Sequence, residues 1–274
     1  EDGAGGEHVA GDADKGVGQP AALQPADGAV EPSCLTQENE AWDTAPTFSP
    51  DGRTLCYAAM ARPGFEADRF RLVLLDLASG ERRVLTEAFD RSVGSARWSA
   101  DGARLLAAVE DLGQRRLYAI DAESGAPTVL VAWGNNDAPS EAGGRLVFAQ
   151  DSLHGPVELY SAALDGSDVR ALTAINAGRV AAARMGAFEQ FSFAGWNGET
   201  VHGFVMQPAD FEPGRKYPVA FLIHGGPQGS FGNHFHYRWN PQVYAGAGYA
   251  AVFIDYLTFH RTDGRRTASR PGGE

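Results

Sequence analysis

Cysteine is nearly absent from this chain: 274 residues contain two, Cys34 and Cys56. Two thiols so spaced build no disulfide scaffold, and they match neither a zinc cluster nor a Cys-x-x-Cys redox pair. Positive charge is also scarce. Against 35 Asp and Glu stand 23 Lys and Arg, a formal net charge of -12, which excludes the basic face that a nucleic-acid backbone demands. Long apolar runs are missing, and none approaches the roughly 20 residues of a membrane-spanning helix, so neither nucleic acid nor membrane is expected as a partner. No charged-then-apolar leader follows Glu1; no export signal is read in this chain, and the compartment stays open between cytoplasm and periplasm. What the chain does have is 43% hydrophobic residues, ample for a core and comfortable for two domains at this length.

Residues 1–32 are rich in Gly, Ala, Asp and Pro and hold almost no large apolar side chains. Such a segment buries too little surface to offset the entropy of ordering, so it is expected to be flexible. From there the sequence repeats itself. Phe48-Ser49-Pro50-Asp51-Gly52 recurs as Trp98-Ser99-Ala100-Asp101-Gly102, with a degenerate third copy at Ala142-Gly143-Gly144-Arg145. Between copies, an apolar run ending in Asp76 leads to Ser79-Gly80, and the same element returns as Asp121 with Ser124-Gly125 and as Asp165-Gly166. The spacing falls in the roughly 40–50-residue range of propeller blades, each made of four short strands. Asp-Gly and Ser-Gly tolerate the positive φ of tight turns, so these aspartates are read as turn chemistry and not as catalysts. Residues 33–184 are therefore expected to form about three blades of an incomplete β-propeller, with Cys34-Leu35-Thr36 as the last strand of a preceding unit.

After Arg184 the pattern changes. Phe188 to Phe193 and Val201 to Met206 flank the Asn-Gly turn at Trp196-Asn197-Gly198-Glu199, a hairpin signal. Val219 to Ile223 is apolar throughout and reads as a strand buried on both faces, as inside a parallel sheet. It ends in His224-Gly225-Gly226-Pro227-Gln228-Gly229, where paired glycines let backbone N–H groups approach a substrate oxygen at the sheet's carboxyl edge. In acyl transfer such N–H groups form an oxyanion hole. Asn240 followed by Pro241 starts a helix, Gly246 and Gly248 end it, and Ala250 to Ile254 is a second buried strand, completing a βαβ unit.

The Ser-Pro-Asp-Gly blades, the hairpin Phe191 to Met206, Tyr217-Pro218-Val219 and above all the His224 to Gly229 segment resemble the prolyl oligopeptidase family of serine peptidases. The resemblance is nearest the bacterial dipeptidyl peptidase and acylaminoacyl-peptidase-like members. It implies a propeller that filters short peptides and an α/β-hydrolase domain that cleaves them, of which residues 185–256 supply the N-terminal part. It implies backbone roles beside the oxyanion for Gly225 and Gly226, an orienting or contact role for His224, and Pro227 on the same substrate side. The family's nucleophile needs a Gly-x-Ser-x-Gly elbow followed by an acid and a histidine. No serine in this chain has glycine two places before it, and Ser230 stands one residue short of that spacing. Asp255 is read as a strand-end residue, no triad residue is assigned, and the chain alone is expected to be inactive. The arginine-rich tail 257–274 is expected to be a disordered end, arising from a truncated or frame-shifted reading of a longer peptidase gene.

Phe231, His234, His236 and Tyr237 are candidate substrate-pocket residues. Together with Phe235 and Trp239, the aromatics equally suit packing between hydrolase and propeller. His234-x-His236 would place two imidazoles on one face of an extended segment, but no carboxylate or cysteine stands at a ligand spacing beside them, so neither metal nor cofactor is expected. A non-catalytic propeller that binds partners is the alternative function; residues 185–256 argue against it, because a pure propeller would not contain them.

Overall fold

The computed structural model describes residues 32–195, 198, 200–225 and 230–254. Expectations for the N-terminal segment before residue 32, for Trp196, Asn197 and Glu199, for Gly226 and Pro227, and for Asp255 and the tail fall outside those residues. The Ser-x-Asp-Gly repeat closes the same turn twice. Ser49 Oγ donates to Asp51 Oδ1 at 2.6 Å while the Thr54 N–H donates to Ser49 Oγ at 2.9 Å; Ser99, Asp101 and Arg104 repeat both bonds at 2.6 and 2.9 Å. In the third copy Gly143 and Gly144 replace this network. Their φ values of +58° and +72° give a two-residue hairpin turn that needs no side chain.

Each turn launches the second strand of a four-stranded antiparallel unit. The first is β1 (Asp43–Phe48), β2 (Thr54–Ala59), β3 (Arg71–Asp76) and β4 (Arg82–Val84). The second is β5 (Arg97–Trp98), β6 (Arg104–Asp111), β7 (Gln114–Asp121) and β8 (Pro127–Val131). The third is β9 (Asn135–Ala142), β10 (Arg145–Ser152), β11 (Gly155–Ala162) and β12 (Arg170–Ala171). A parallel bridge from Arg115 to Asn135 joins the second and third units into one eight-stranded sheet.

Strand alternation explains why β6 reads as unbroken apolar sequence. Leu105, Ala107 and Val109 face a core shared with Cys56, Leu72 and Leu74 of the first unit, whereas Leu106 faces a core shared with Leu146 and Phe148 of the third. A middle blade buries both faces against its neighbours. Cys56 lies in the first of these cores, where burial pushes its thiol up to about 12; it is inert, and Cys34 is an exposed free thiol.

Cys34-Leu35-Thr36 is not a strand. It leads into a turn in which the Asn39 N–H donates to the Thr36 carbonyl at 2.9 Å, and Leu35 packs on the cluster of Leu55, Tyr57 and Val73. After β12 a six-residue helix, α1 (Ala177–Ala182), precedes the last sheet.

That sheet has the order β13 (Phe188–Ala194), β14 (Thr200–Met206), β16 (Ala250–Ile254), β15 (Val219–Leu222), with helix α2 (Pro241–Gly246) between β15 and β16. The hairpin β13–β14 and the parallel pair β15–β16 match the sequence expectation, as does the cap, where Asn240 Oδ1 accepts the Gln242 N–H at 2.9 Å. Burial of β15 on both faces does not hold. Among the described residues it pairs with β16 alone at the sheet's edge, and Val219 and Phe221 remain 62% and 52% exposed, while Leu222 turns inward to the core of Phe204, Met206 and Phe253.

Candidate functional site

β15 ends at Leu222, and the chain then carries Ile223, His224 and Gly225 past the carboxyl end of a parallel strand, where α/β sheets offer ligand crevices. These residues line a cavity of about 480 Å3, closed by Phe231, His236, Trp239 and Tyr244. The His224 Nδ1–H donates to the Gly225 carbonyl at 2.9 Å, and its ring stands edge-on to Phe231 at 5.3 Å between centroids. Phe231 in turn meets Phe253 of β16 at 5.6 Å, which ties the cavity wall to the sheet core. Among the described residues, a side chain added at Gly225 would meet no atom within 4 Å, so packing against them does not demand glycine there.

His236 reaches the same cavity, with its Nδ1 accepting backbone N–H groups from Arg238 at 3.2 Å and Trp239 at 3.1 Å. Burial, the nearby His234 and the Arg238 guanidinium all hold its pKa below the ordinary 6.5, so the ring is neutral at physiological pH.

His234 turns the other way. Its Nδ1 meets Asp151 Oδ1 at 2.8 Å, and the Phe235 N–H donates to the same oxygen at 2.6 Å. Asn135 adds a bond to Asp151 Oδ2 at 2.8 Å. This side of the segment lines a second cavity, about 500 Å3, walled by Gln114, Arg115, Asn135, Asp137 and Asp151 of the second and third units. Ser230 and Phe231 stand between the two cavities and line both.

The structure thus brings His224, Gly225, Phe231 and His236 to one cavity, while His234, its ring edge-on to His236 at 5.6 Å between centroids, lines the other. Tyr237 is 79% exposed and lines neither cavity; its ring rests on Phe235 at 5.3 Å. The carboxylate that the sequence does not place beside His234 comes from β10, 83 positions away, as Asp151. Sequence reasoning also misses Asn233, Gln114 and Gln242, whose side chains bond across the junction. Gln242 Nε2 donates to the Leu153 and Gly186 carbonyls, both at 3.1 Å, and its Oε1 accepts the Gly186 N–H at 2.8 Å. Nothing in local spacing signals these partners.

Compared with known proteins, the chain matches the family described as PD40, TolB beta propeller domain, over residues 20–196. It is similar to the probable dipeptidyl-peptidase 5 of Aspergillus niger, 32% identical over 213 residues that make up 76% of this chain and 29% of that protein. The dipeptidyl-peptidase 5 of Trichophyton equinum is 31% identical over 225 residues, 79% of this chain and 31% of that one. The chain therefore spans about 30% of the length of the curated relatives it matches. Among solved structures, the acylaminoacyl peptidase of Pyrococcus horikoshii aligns with a TM-score of 0.63 at 23% identity, over 75% of this chain and 31% of that chain. The dipeptidyl peptidase 4 of Porphyromonas gingivalis aligns at 0.53 and 24% identity, over 77% and 30%. These likenesses show a shared fold.

Proposed function

This chain belongs to the PD40 family of TolB β-propeller domains, and from that premise we propose that it is the propeller-and-junction part of a prolyl oligopeptidase-family serine peptidase, of the bacterial dipeptidyl-peptidase or acylaminoacyl-peptidase-like branch, acting on short peptides. Residues 33–184 are the blades that sort substrates, and 185–256 begin the α/β-hydrolase domain. His224, Gly225, Gly226 and Pro227 border the oxyanion. The observation that supports this reading is the delivery of His224 and Gly225, by the end of parallel strand β15, to an open cavity with apolar walls.

In that cavity, backbone N–H groups would face the carbonyl oxygen of a bound peptide and stabilise the negative charge that develops as the carbonyl is attacked. The attacking group is not on this chain, which lacks any Gly-x-Ser-x-Gly. An oxyanion site without a nucleophile binds but does not cleave. Purified chain should therefore bind N-blocked short peptides, shifting the resonances of His224, His236 and Trp239, and release no product. A fluorophosphonate probe should leave every serine unlabelled, Ser230 included. Stoichiometric labelling of a serine overturns the absence of a nucleophile, and peptide binding that leaves those three resonances unmoved overturns the site.

A further inference from the structure

Between β15 and α2 the chain folds back on itself at residues 236–239, and one imidazole holds that turn. His236 Nδ1 accepts the N–H groups of Arg238 and Trp239, at 3.2 and 3.1 Å. A ring nitrogen that accepts carries no proton, so the neutral imidazole is confined to the tautomer with its hydrogen on Nε2. The doubly protonated ring would set an N–H at Nδ1 against two backbone donors. The charged and titratable neighbours act in the same direction: burial is the largest influence, followed by His234, 5.6 Å away between ring centroids, and by Arg238.

Nε2–H lies on the far edge of the ring from the turn, and the ring lines the cavity that holds His224 and Gly225. The other walls include Phe221, Ile223, Trp239 and Tyr244. Phe221, Ile223 and Trp239 are each half or more exposed, so a peptide laid on them would cover the Nε2–H as it binds and shield the hydrogen bond from water. A donor fixed in tautomer and orientation, beside a strand end open to the peptide backbone, calls for an acceptor. Peptides carry one at every main-chain carbonyl.

We propose that His236 is a neutral hydrogen-bond donor, through Nε2–H, to a main-chain carbonyl oxygen of a peptide held in the His224–Gly225 cavity, with the 236–239 turn setting its tautomer. The proposal rests on the peptide-binding reading given above. His236 is then a substrate-positioning contact, separate from whatever group attacks the scissile bond, and the His234–Asp151 pair plays no part in it.

The test uses the whole chain labelled with 15N on histidine and an N-acetylated, C-amidated tripeptide as the probe. In the free protein at neutral pH, His236 should show Nδ1 unprotonated and Nε2 protonated. Adding peptide should shift the Nε2–H pair and slow its exchange with water. His236→Asn separates the two roles of the ring, because an asparagine Oδ1 can take the place of Nδ1 in the turn while the shorter side chain offers nothing at the Nε2 position. That variant should keep the wild-type melting curve and bind the peptide about three- to tenfold more weakly, the net worth of one neutral hydrogen bond. Equal affinity in the variant, or a free-state ring protonated at Nδ1, overturns the proposal. Should the variant not fold, the wild-type Nε2–H response decides: a shift on peptide addition supports the contact, and an unmoved signal with peptide bound refutes it. A wild-type chain that binds no peptide brings down the functional reading as well, an outcome distinct from binding that ignores His236.

Discussion

Asn233 and Leu153 are 80 positions apart, yet the Leu153 N–H donates to Asn233 Oδ1 at 2.9 Å in a buried hydrogen bond. The same carboxamide gives its Nδ2 hydrogens to Gln114 Oε1 at 3.0 Å, and the Asn233 N–H goes to the Gly113 carbonyl at 2.8 Å. One residue therefore reads two hairpin tips, with its backbone on Gly113 between β6 and β7 and its side chain on Leu153 between β10 and β11. Leu153 itself is 1% exposed and packs among Phe204, Met206 and Phe253 of the last sheet. The second and third units and the segment before α2 are fastened at one seam, and Asn233 and Gln114 of that seam line the second cavity.

Asn233→Ala should accordingly destabilise the protein by about 1–3 kcal/mol, chiefly the cost of leaving the buried Leu153 N–H without a partner, since Gln114 Oε1 keeps the Gly134 N–H at 2.9 Å. Urea melts followed by tryptophan fluorescence would read it as a lower midpoint with an unchanged slope. A loss of under about 0.5 kcal/mol would mean that water replaces the carboxamide and that the seam is wetter than the 1% exposure of Asn233 implies.

The seam was not legible in the sequence, and the reason is range. The blades announce themselves because each turn carries its own hydrogen-bonding residues within five positions, as Ser49 and Asp51 do. The helix start at Asn240-Pro241 is local for the same reason. The partners of Asn233 lie 80 and 119 positions away, and no short window contains both ends of such a bond. Helix α1 leaves no apolar stripe in the sequence because it buries no residue, and its N-cap Asn176 makes no side-chain capping bond. β15 is apolar throughout in the sequence, but periodicity cannot report which face a neighbour covers. At the cavity, His-x-His spacing suggests neighbouring imidazoles, and the rings do meet at 5.6 Å between centroids; what the spacing hides is that one is bonded to Asp151 and the other to the backbone of its own turn.

A second expectation concerns Asp111, 6% exposed at the end of β6. Its Oδ1 accepts from Arg91 Nε at 2.8 Å, and its Oδ2 meets Arg116 Nη1 and the Tyr118 hydroxyl, each at 2.8 Å. Burial acts to raise its pKa, but the hydrogen bonds from Arg91 and Tyr118 and the charges of Arg91 and Arg116 outweigh burial and hold it below the usual carboxylate value. The same arrangement pushes the Tyr118 phenol up to about 12, burial first and the carboxylate second. Asp111→Asn should cost about 3 kcal/mol at pH 7, the low end for a broken buried pair because both arginines keep some solvent contact. A carboxylate whose folded pKa is lowered contributes stability above its unfolded value of about 3.9 and loses it as the pH falls through the folded value. The melting gap between wild type and variant should hold from pH 7 down to about 4 and close below that. A gap that widens in acid would show that Asp111 is not the ionised partner of these arginines.

The sharpest test of blade packing compares two glycines that occupy the same turn. In the first unit Asp76 Oδ1 accepts the Ser79 N–H at 2.7 Å, in the second Asp121 Oδ1 accepts the Ser124 N–H at 2.7 Å, and each turn closes with a glycine N–H on the aspartate carbonyl at 2.9 Å. Gly80 and Gly125 have φ of +76° and +75°. Locally they are the same residue. Their surroundings differ: a Cβ on Gly80 would meet nothing within 4 Å among the described residues, whereas a Cβ on Gly125 would fall on the carbonyl oxygen of Leu85, just past the last strand of the first unit. Gly166 stands in the corresponding relation to the Leu130 carbonyl of the second unit, so the contact is a rule of how one unit seats on the one before it. Gly80→Ala should therefore cost only the left-handed backbone penalty, about 1–2 kcal/mol. Gly125→Ala should add the cost of prising the two units apart, about 1–3 kcal/mol for an overpacked contact that neither rotamer change nor side-chain motion can relieve. Chemical denaturation of both variants measures the difference directly. Equal losses would mean that the second unit does not rest on the first through this turn, and the shared core around Leu72 and Leu105 would then have to hold the pair without it.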